Sequence, residues 1–115
     1  MKILLIRHGE PDYELDCLTE RGREQASQLG QRLVSLELEG AFSSPMGRAR
    51  ETARIALKGR EVQIEVLDWL HEFDVKVRDG DRLVQGWDIR PENWTNSPEL
   101  YDRDRFLQHP DMEGT

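Results

Sequence analysis

The 115 residues suffice for one domain with a modest core and are too few for two domains of ordinary size, so a single folding unit, residues 1–115, is expected. Sixteen basic residues against 23 acidic give a net charge of −7, which disfavours non-specific attraction to nucleic acid or an anionic membrane; an anionic ligand would need a local basic pocket. The single cysteine, Cys17, excludes an internal disulfide framework, and the apolar run at the N-terminus is too short for a signal core or a membrane span, so a cytoplasmic protein is expected.

In chain order, Ile3, Leu4, Leu5 and Ile6 form a continuously apolar run, the pattern of a strand covered on both faces in a parallel sheet. Thr19 offers an N-cap to a helix over about 19–37, whose Ala26, Leu29, Leu33 and Leu36 recur at spacings of three and four. Residues 40–44 read as a second strand. Ser44 as N-cap and Pro45 at the first helical position then open a second helix that packs through Ala49, Ala53, Ile55 and Ala56 and stops at Gly59. Val62, Ile64 and Val66 alternate with polar residues as a third strand. Strands alternating with helices at this spacing predict an α/β layer structure. From about residue 76 to 115 the pattern breaks down, with Gly80, Gly86, Pro91 and Pro98 among charges. A long irregular insertion is expected there, with one helix around 99–108 and with Trp87 and Trp94 packing it as a lid.

Three constellations carry chemistry. Arg7-His8-Gly9-Glu10 stands at the predicted C-terminal end of the first strand, where α/β folds place their ligand crevice. A neutral imidazole there can attack phosphorus, the arginine can clamp phosphate oxygens, and the glycine permits close backbone approach. Ser43-Ser44-Pro45-Met46-Gly47-Arg48 is a second strand-to-helix junction, where backbone N–H groups point at a bound anion and Arg48 adds a guanidinium. Leu70-His71-Glu72 follows the third strand, and a carboxyl group there can protonate a departing alkoxide and then activate water.

Taken together, Arg7-His8-Gly9-Glu10, the stretch from Leu18-Thr19-Glu20 to Gln25-Ala26, Ser43-Ser44-Pro45 with Arg48-Ala49 and Thr52-Ala53, and Leu70-His71-Glu72 resemble the histidine phosphatase superfamily, which includes the cofactor-dependent phosphoglycerate mutases and broad phosphomonoesterases. The resemblance covers about the first two-thirds of the chain. It implies a three-layer α/β/α fold with a mainly parallel sheet, phosphoglycerate mutase-like. It also implies His8 as phosphorylated nucleophile, Glu72 as proton donor, Arg7 and Arg48 as phosphate clamp with Gly9 and Glu10 beside them, and neither metal nor other cofactor. The resemblance further implies a second catalytic histidine in a late strand ending His-Gly. These 115 residues contain no such segment, and His109 stands in a loop-like context, so a chain incomplete at its C-terminal side is expected. After Glu72 the family's Gly-x-Trp-Glu-Gly continuation is replaced by Phe73-Asp74-Val75-Lys76, which leaves the substrate open.

The function expected is hydrolysis of small phosphate monoesters through a phosphohistidine. The alternatives are a phosphate-binding protein without turnover, a mutase-type phosphotransferase, and a binding module built on the tryptophan-containing insertion. The expected partner is a small phosphorylated metabolite, with neither nucleic acid nor membrane, and a homo-oligomer would cover any apolar surface that the short chain leaves open.

Overall fold

The computed structural model of the protein describes residues 1–72, 75–95, 102, 104–105 and 112–113. Two compact units divide the chain, Met1–His71 and Glu72–Thr115, where the sequence reading expects one.

The first unit opens with a two-residue hairpin, β1 (Pro11–Asp12) antiparallel to β2 (Cys17–Leu18). The Asp12 carboxylate accepts from the N–H groups of Glu14 and Leu15 at 3.0 and 3.1 Å and so fixes the turn between them. Helix α1 (Glu20–Leu33) starts where Thr19 predicts, because the Thr19 hydroxyl accepts from the N–H of Gly22 and its carbonyl accepts from Arg23. At the other end the guanidinium of Arg60 donates to the carbonyls of Leu33, the last residue of the helix, and of Leu36 beyond it. Strand β3 (Ala41–Ser43) pairs in parallel with β4 (Ile64–Val66), and helix α2 (Gly47–Ala56) connects them, so the two strands and their crossover form a βαβ unit. Helix α1, with Gly22, Ala26 and Leu33 buried, packs against α2, whose own buried residues are Arg48, Thr52 and Ala56, and Gly30 of α1 comes close to the Ala56 backbone. A 3₁₀ turn, Asp68–Leu70, ends the unit.

Two local expectations are corrected here. Ser44 does not cap α2. The helix begins two residues beyond Pro45, and its N-cap, Met46, has no capping side chain; the first turn is served instead by Asp16 from the hairpin. Ile3 to Ile6 join no strand ladder among the described residues, and all four are exposed, Leu5 at 96%. A parallel strand needs neighbours to accept its ladder bonds and layers to cover its faces, and this unit supplies Ile3 to Ile6 with neither.

The second unit is more regular than its sequence suggests. Strands β5 (Lys76–Asp79) and β6 (Arg82–Gln85) form an antiparallel hairpin closed by Gly80 and Asp81, and β7 (Met112–Glu113) pairs with the other edge of β5. Val75, Val77 and Asp79 point to one covered face while Lys76 and Arg78 are exposed, the period of two that a sheet imposes. A 3₁₀ turn (Gly86–Asp88) and a short helix α3 (Pro91–Thr95) follow. The irregular insertion is therefore a small sheet at its start. Trp87 keeps 57% of its surface exposed. The expected helix over 99–108 and His109 lie outside the described residues, as does the side chain of Trp94.

Candidate active site

In the first unit the hairpin, α1 and α2 bring His8 and Arg48 to one aromatic ring, that of Tyr13. The His8 and Tyr13 rings meet edge to face with centroids 6.5 Å apart. The Arg48 guanidinium carbon lies over the same Tyr13 ring, 5.1 Å from its centroid, a cation–π arrangement.

His8 Nδ1 lies 2.7 Å from the carbonyl oxygen of Gly9. A carbonyl can only accept, so Nδ1 carries the proton, and in the neutral ring Nε2 then keeps its lone pair. Gly9 is held from two directions. Its N–H donates to Thr52 Oγ1 at 3.1 Å, and the Thr52 hydroxyl donates to the Arg48 carbonyl at 2.8 Å, which fastens the backbone just after His8 to the first turns of α2. A Cβ at residue 9 would lie 2.5 Å from the Gly22 carbonyl oxygen, so only glycine allows this segment to run so close to α1.

Arg48 is buried, its side chain only 8% exposed. Its Nη1 donates to Asp16 Oδ1 at 2.8 Å, while the N–H groups of Gly47 and Arg48 donate to the same carboxylate at 2.6 and 3.3 Å. Asp16 has a left-handed backbone (φ +48°), a conformation aspartate tolerates better than most residues. The Gly47 N–H bond, followed by those from Arg48, holds the Asp16 carboxyl below its ordinary pKa, against the opposing effect of partial burial. Glu51, one turn along α2, accepts from the Leu18 N–H at 2.7 Å and from Arg23 Nε at 2.7 Å, and those bonds lower its pKa in the same way.

Of the residues singled out from the sequence, the first unit thus gathers His8, Gly9 and Arg48. Arg7 is exposed beside them in the chain. Glu10 has partners at the start of α1. Its carboxylate accepts from the Thr19 hydroxyl at 2.9 Å and pairs with Arg21 at 3.7 Å, and its N–H donates to Gln25 Oε1 at 2.8 Å, so it braces the start of α1, as suits a group that phosphate would repel. Glu72 is exposed and is the first residue of the second unit. The sequence reading misses Tyr13, Asp16 and Thr52 as members of the site. No cluster of His, Cys, Asp or Glu suited to a metal ion occurs among the described residues, and among them no helix is long and apolar enough to cross a membrane.

The sequence model of the histidine phosphatase superfamily (branch 1) matches residues 3–111. "Probable phosphoglycerate mutase GpmB" of Salmonella arizonae is 30% identical over 117 residues, covering 89% of this chain and 54% of its own length. The adenosylcobalamin/alpha-ribazole phosphatase of Escherichia coli is 33% identical over 82 residues, 64% of this chain and 40% of that protein. Among solved structures, Bacillus stearothermophilus YhfR superposes with a TM-score of 0.54 at 32% identity, over 85% of this chain and 50% of its own. The chain thus spans about half the length of the curated relatives it matches.

Proposed function

The chain belongs to the histidine phosphatase superfamily, with its α/β phosphoglycerate mutase-like fold, and on that premise we propose that it is a phosphomonoesterase acting on small phosphorylated metabolites through a phosphohistidine at His8. The observation that carries this reading is the Nδ1–H bond of His8 to the Gly9 carbonyl, which leaves Nε2 as the nucleophilic atom in a ring that meets Tyr13 edge to face, with Arg48 over the same Tyr13 ring. The family match runs across both units, and we take the two as parts of one domain, 1–115, in a cytoplasmic protein.

In the mechanism we infer, His8 Nε2 attacks phosphorus in line with the ester oxygen. The P–N bond forms as the P–O bond breaks, and Glu72 gives its proton to the leaving oxygen. The Gly9 carbonyl then faces a ring that has become cationic, and its acceptor lone pair stabilises that charge more than it stabilised the neutral ring. Arg7 and Arg48 balance the charge on the non-bridging oxygens. Water next attacks the phosphohistidine, its proton passes to the Glu72 carboxylate, the P–N bond breaks, and both groups return to their starting states. Gly9 contributes its backbone carbonyl, and Glu10 acts through the placement of α1. Transfer of the phosphoryl group to a second hydroxyl instead of water would give a mutase-type reaction from the same intermediate.

Phosphate release from a generic aryl phosphate with chelator present, compared between the wild type and His8→Ala, tests the reading. Loss of release in the variant is the expected result, together with an acid-labile phosphoryl label found only on the wild type. A label that survives His8→Ala overturns the assignment, and phosphate binding without release in the wild type replaces it with a binding protein.

A further inference from the structure

We propose that Asp16 is a positioning residue for phosphate binding: from the tip of the β1–β2 hairpin it fixes the Arg48 guanidinium and the first turn of α2, so that the hairpin sets the geometry of the clamp. The proposal rests on the reading of Arg48 as a phosphate ligand.

The connection is built from both ends. Asp16 Oδ2 takes the Gly47 N–H, while Oδ1 takes the Arg48 N–H and the Arg48 Nη1–H, so one carboxylate locks the helix start and the side chain that leaves it. The approach is close: a Cβ on Gly47 would fall 2.1 Å from the Asp16 carbonyl oxygen, so the helix can start against the hairpin only with glycine at residue 47. Tyr13, three residues before Asp16 on the same hairpin tip, supports the face of the guanidinium and the His8 ring. A long arginine side chain loses much rotamer freedom when it binds an anion, and holding it in advance removes that cost from the binding step.

Simple electrostatics predicts the opposite sign. Asp16 is a negative charge beside a group meant to attract phosphate, so neutralising it should tighten anion binding if charge alone mattered. Positioning predicts that neutralising it weakens binding. The two therefore separate in the dissociation constant for inorganic phosphate, titrated at neutral pH into the full chain and its Asp16→Ala, Asp16→Asn and Arg48→Met variants, each below its own Tm. The expected result is a Kd raised about tenfold in Asp16→Ala, the order of one hydrogen bond to a charged group. Asp16→Asn, which keeps one acceptor oxygen, enough for either the Gly47 N–H or the Arg48 donors but not both, should fall between that variant and the wild type. In an Arg48→Met background Asp16→Ala should weaken binding no further. If both Asp16 variants bind phosphate as tightly as the wild type, or more tightly, while Arg48→Met binds weakly, the positioning role is wrong and the clamp stands. If Arg48→Met binds as the wild type does, the clamp itself is wrong and the role of Asp16 falls with it.

Discussion

In the first unit Asp16 holds Arg48; in the second, Asp79 holds Arg90 at 2.9 Å, and the burial of the partners is inverted. The Arg48 side chain is 8% exposed beside an Asp16 side chain at 37%, whereas the Asp79 side chain is fully covered beside an Arg90 side chain at 48%. A buried charge is tolerated only when paired, so in each pair the more exposed partner serves the covered one. What the first unit keeps is a cation, over the Tyr13 ring that His8 also meets. What the second keeps is an anion at the end of β5, taken up by Arg90 and by the Asn93 side-chain amide, which tie the hairpin to the segment that follows it. The same kind of ion pair therefore holds a covered cation in the proposed phosphate site of one region and ties two segments together in the other.

The largest effect on stability should follow from breaking the structural tie. Asp79→Ala leaves Arg90 and Asn93 without their carboxylate and opens a gap at a fully covered position. The Tm should fall further than for Asp16→Ala, and amide exchange should accelerate first in β5 and β6. Equal effects of the two substitutions would mean that the inverted burial has no energetic consequence. Acid should expose the same order. The Asn93 and Arg90 bonds hold Asp79 below the ordinary carboxyl pKa, and Gly47 and Arg48 do so for Asp16. The unfolded chain therefore binds more protons in the acid range, so stability rises with pH there. The contribution is whole above the unfolded carboxyl value of about 4 and is lost as pH falls through the depressed folded values. Urea midpoints measured across this window should slope less steeply in Asp79→Asn than in the wild type.

Asp16→Ala should cost about 1 kcal/mol at neutral pH for the lost helix-start bonds, and more to the extent that the covered Arg48 guanidinium finds no other partner. A much larger loss would make Asp16 a structural tie of the Asp79 kind.

Local signals account for what was legible in the sequence. Thr19 caps α1 from the adjacent position, the small apolar residues of α2 follow helical spacing, and Ile64 to Val66 alternate, so each element carries its own signature. The cap of α2 was hidden because its carboxylate comes from Asp16, 31 residues earlier, while Ser44 offered a plausible local substitute. Tyr13 and Thr52 join the site only through contacts across the fold. The β5–β6 hairpin was obscured because the inward position 79 is occupied by an acid, which breaks the apolar alternation. The two-residue Gly80-Asp81 connection is a hairpin signal that could have revealed it.

The smallest effect should come from a third ion pair, Arg21 with Glu10, which tests whether burial or mere proximity to the site gives a pair its importance. The two side chains are 75% and 43% exposed and lie 3.7 Å apart, so solvent screens them, and Thr19 supplies Glu10 with a second partner in any case. Arg21→Ala should change stability by less than about 0.5 kcal/mol in urea unfolding and leave phosphate affinity within twofold. A marked loss of phosphate binding in Arg21→Ala, with stability unchanged, would mean that Glu10 must be held by its arginine for the His8 segment to work. The contrast between covered and exposed pairs would then cease to separate the residues that serve the site from those that do not.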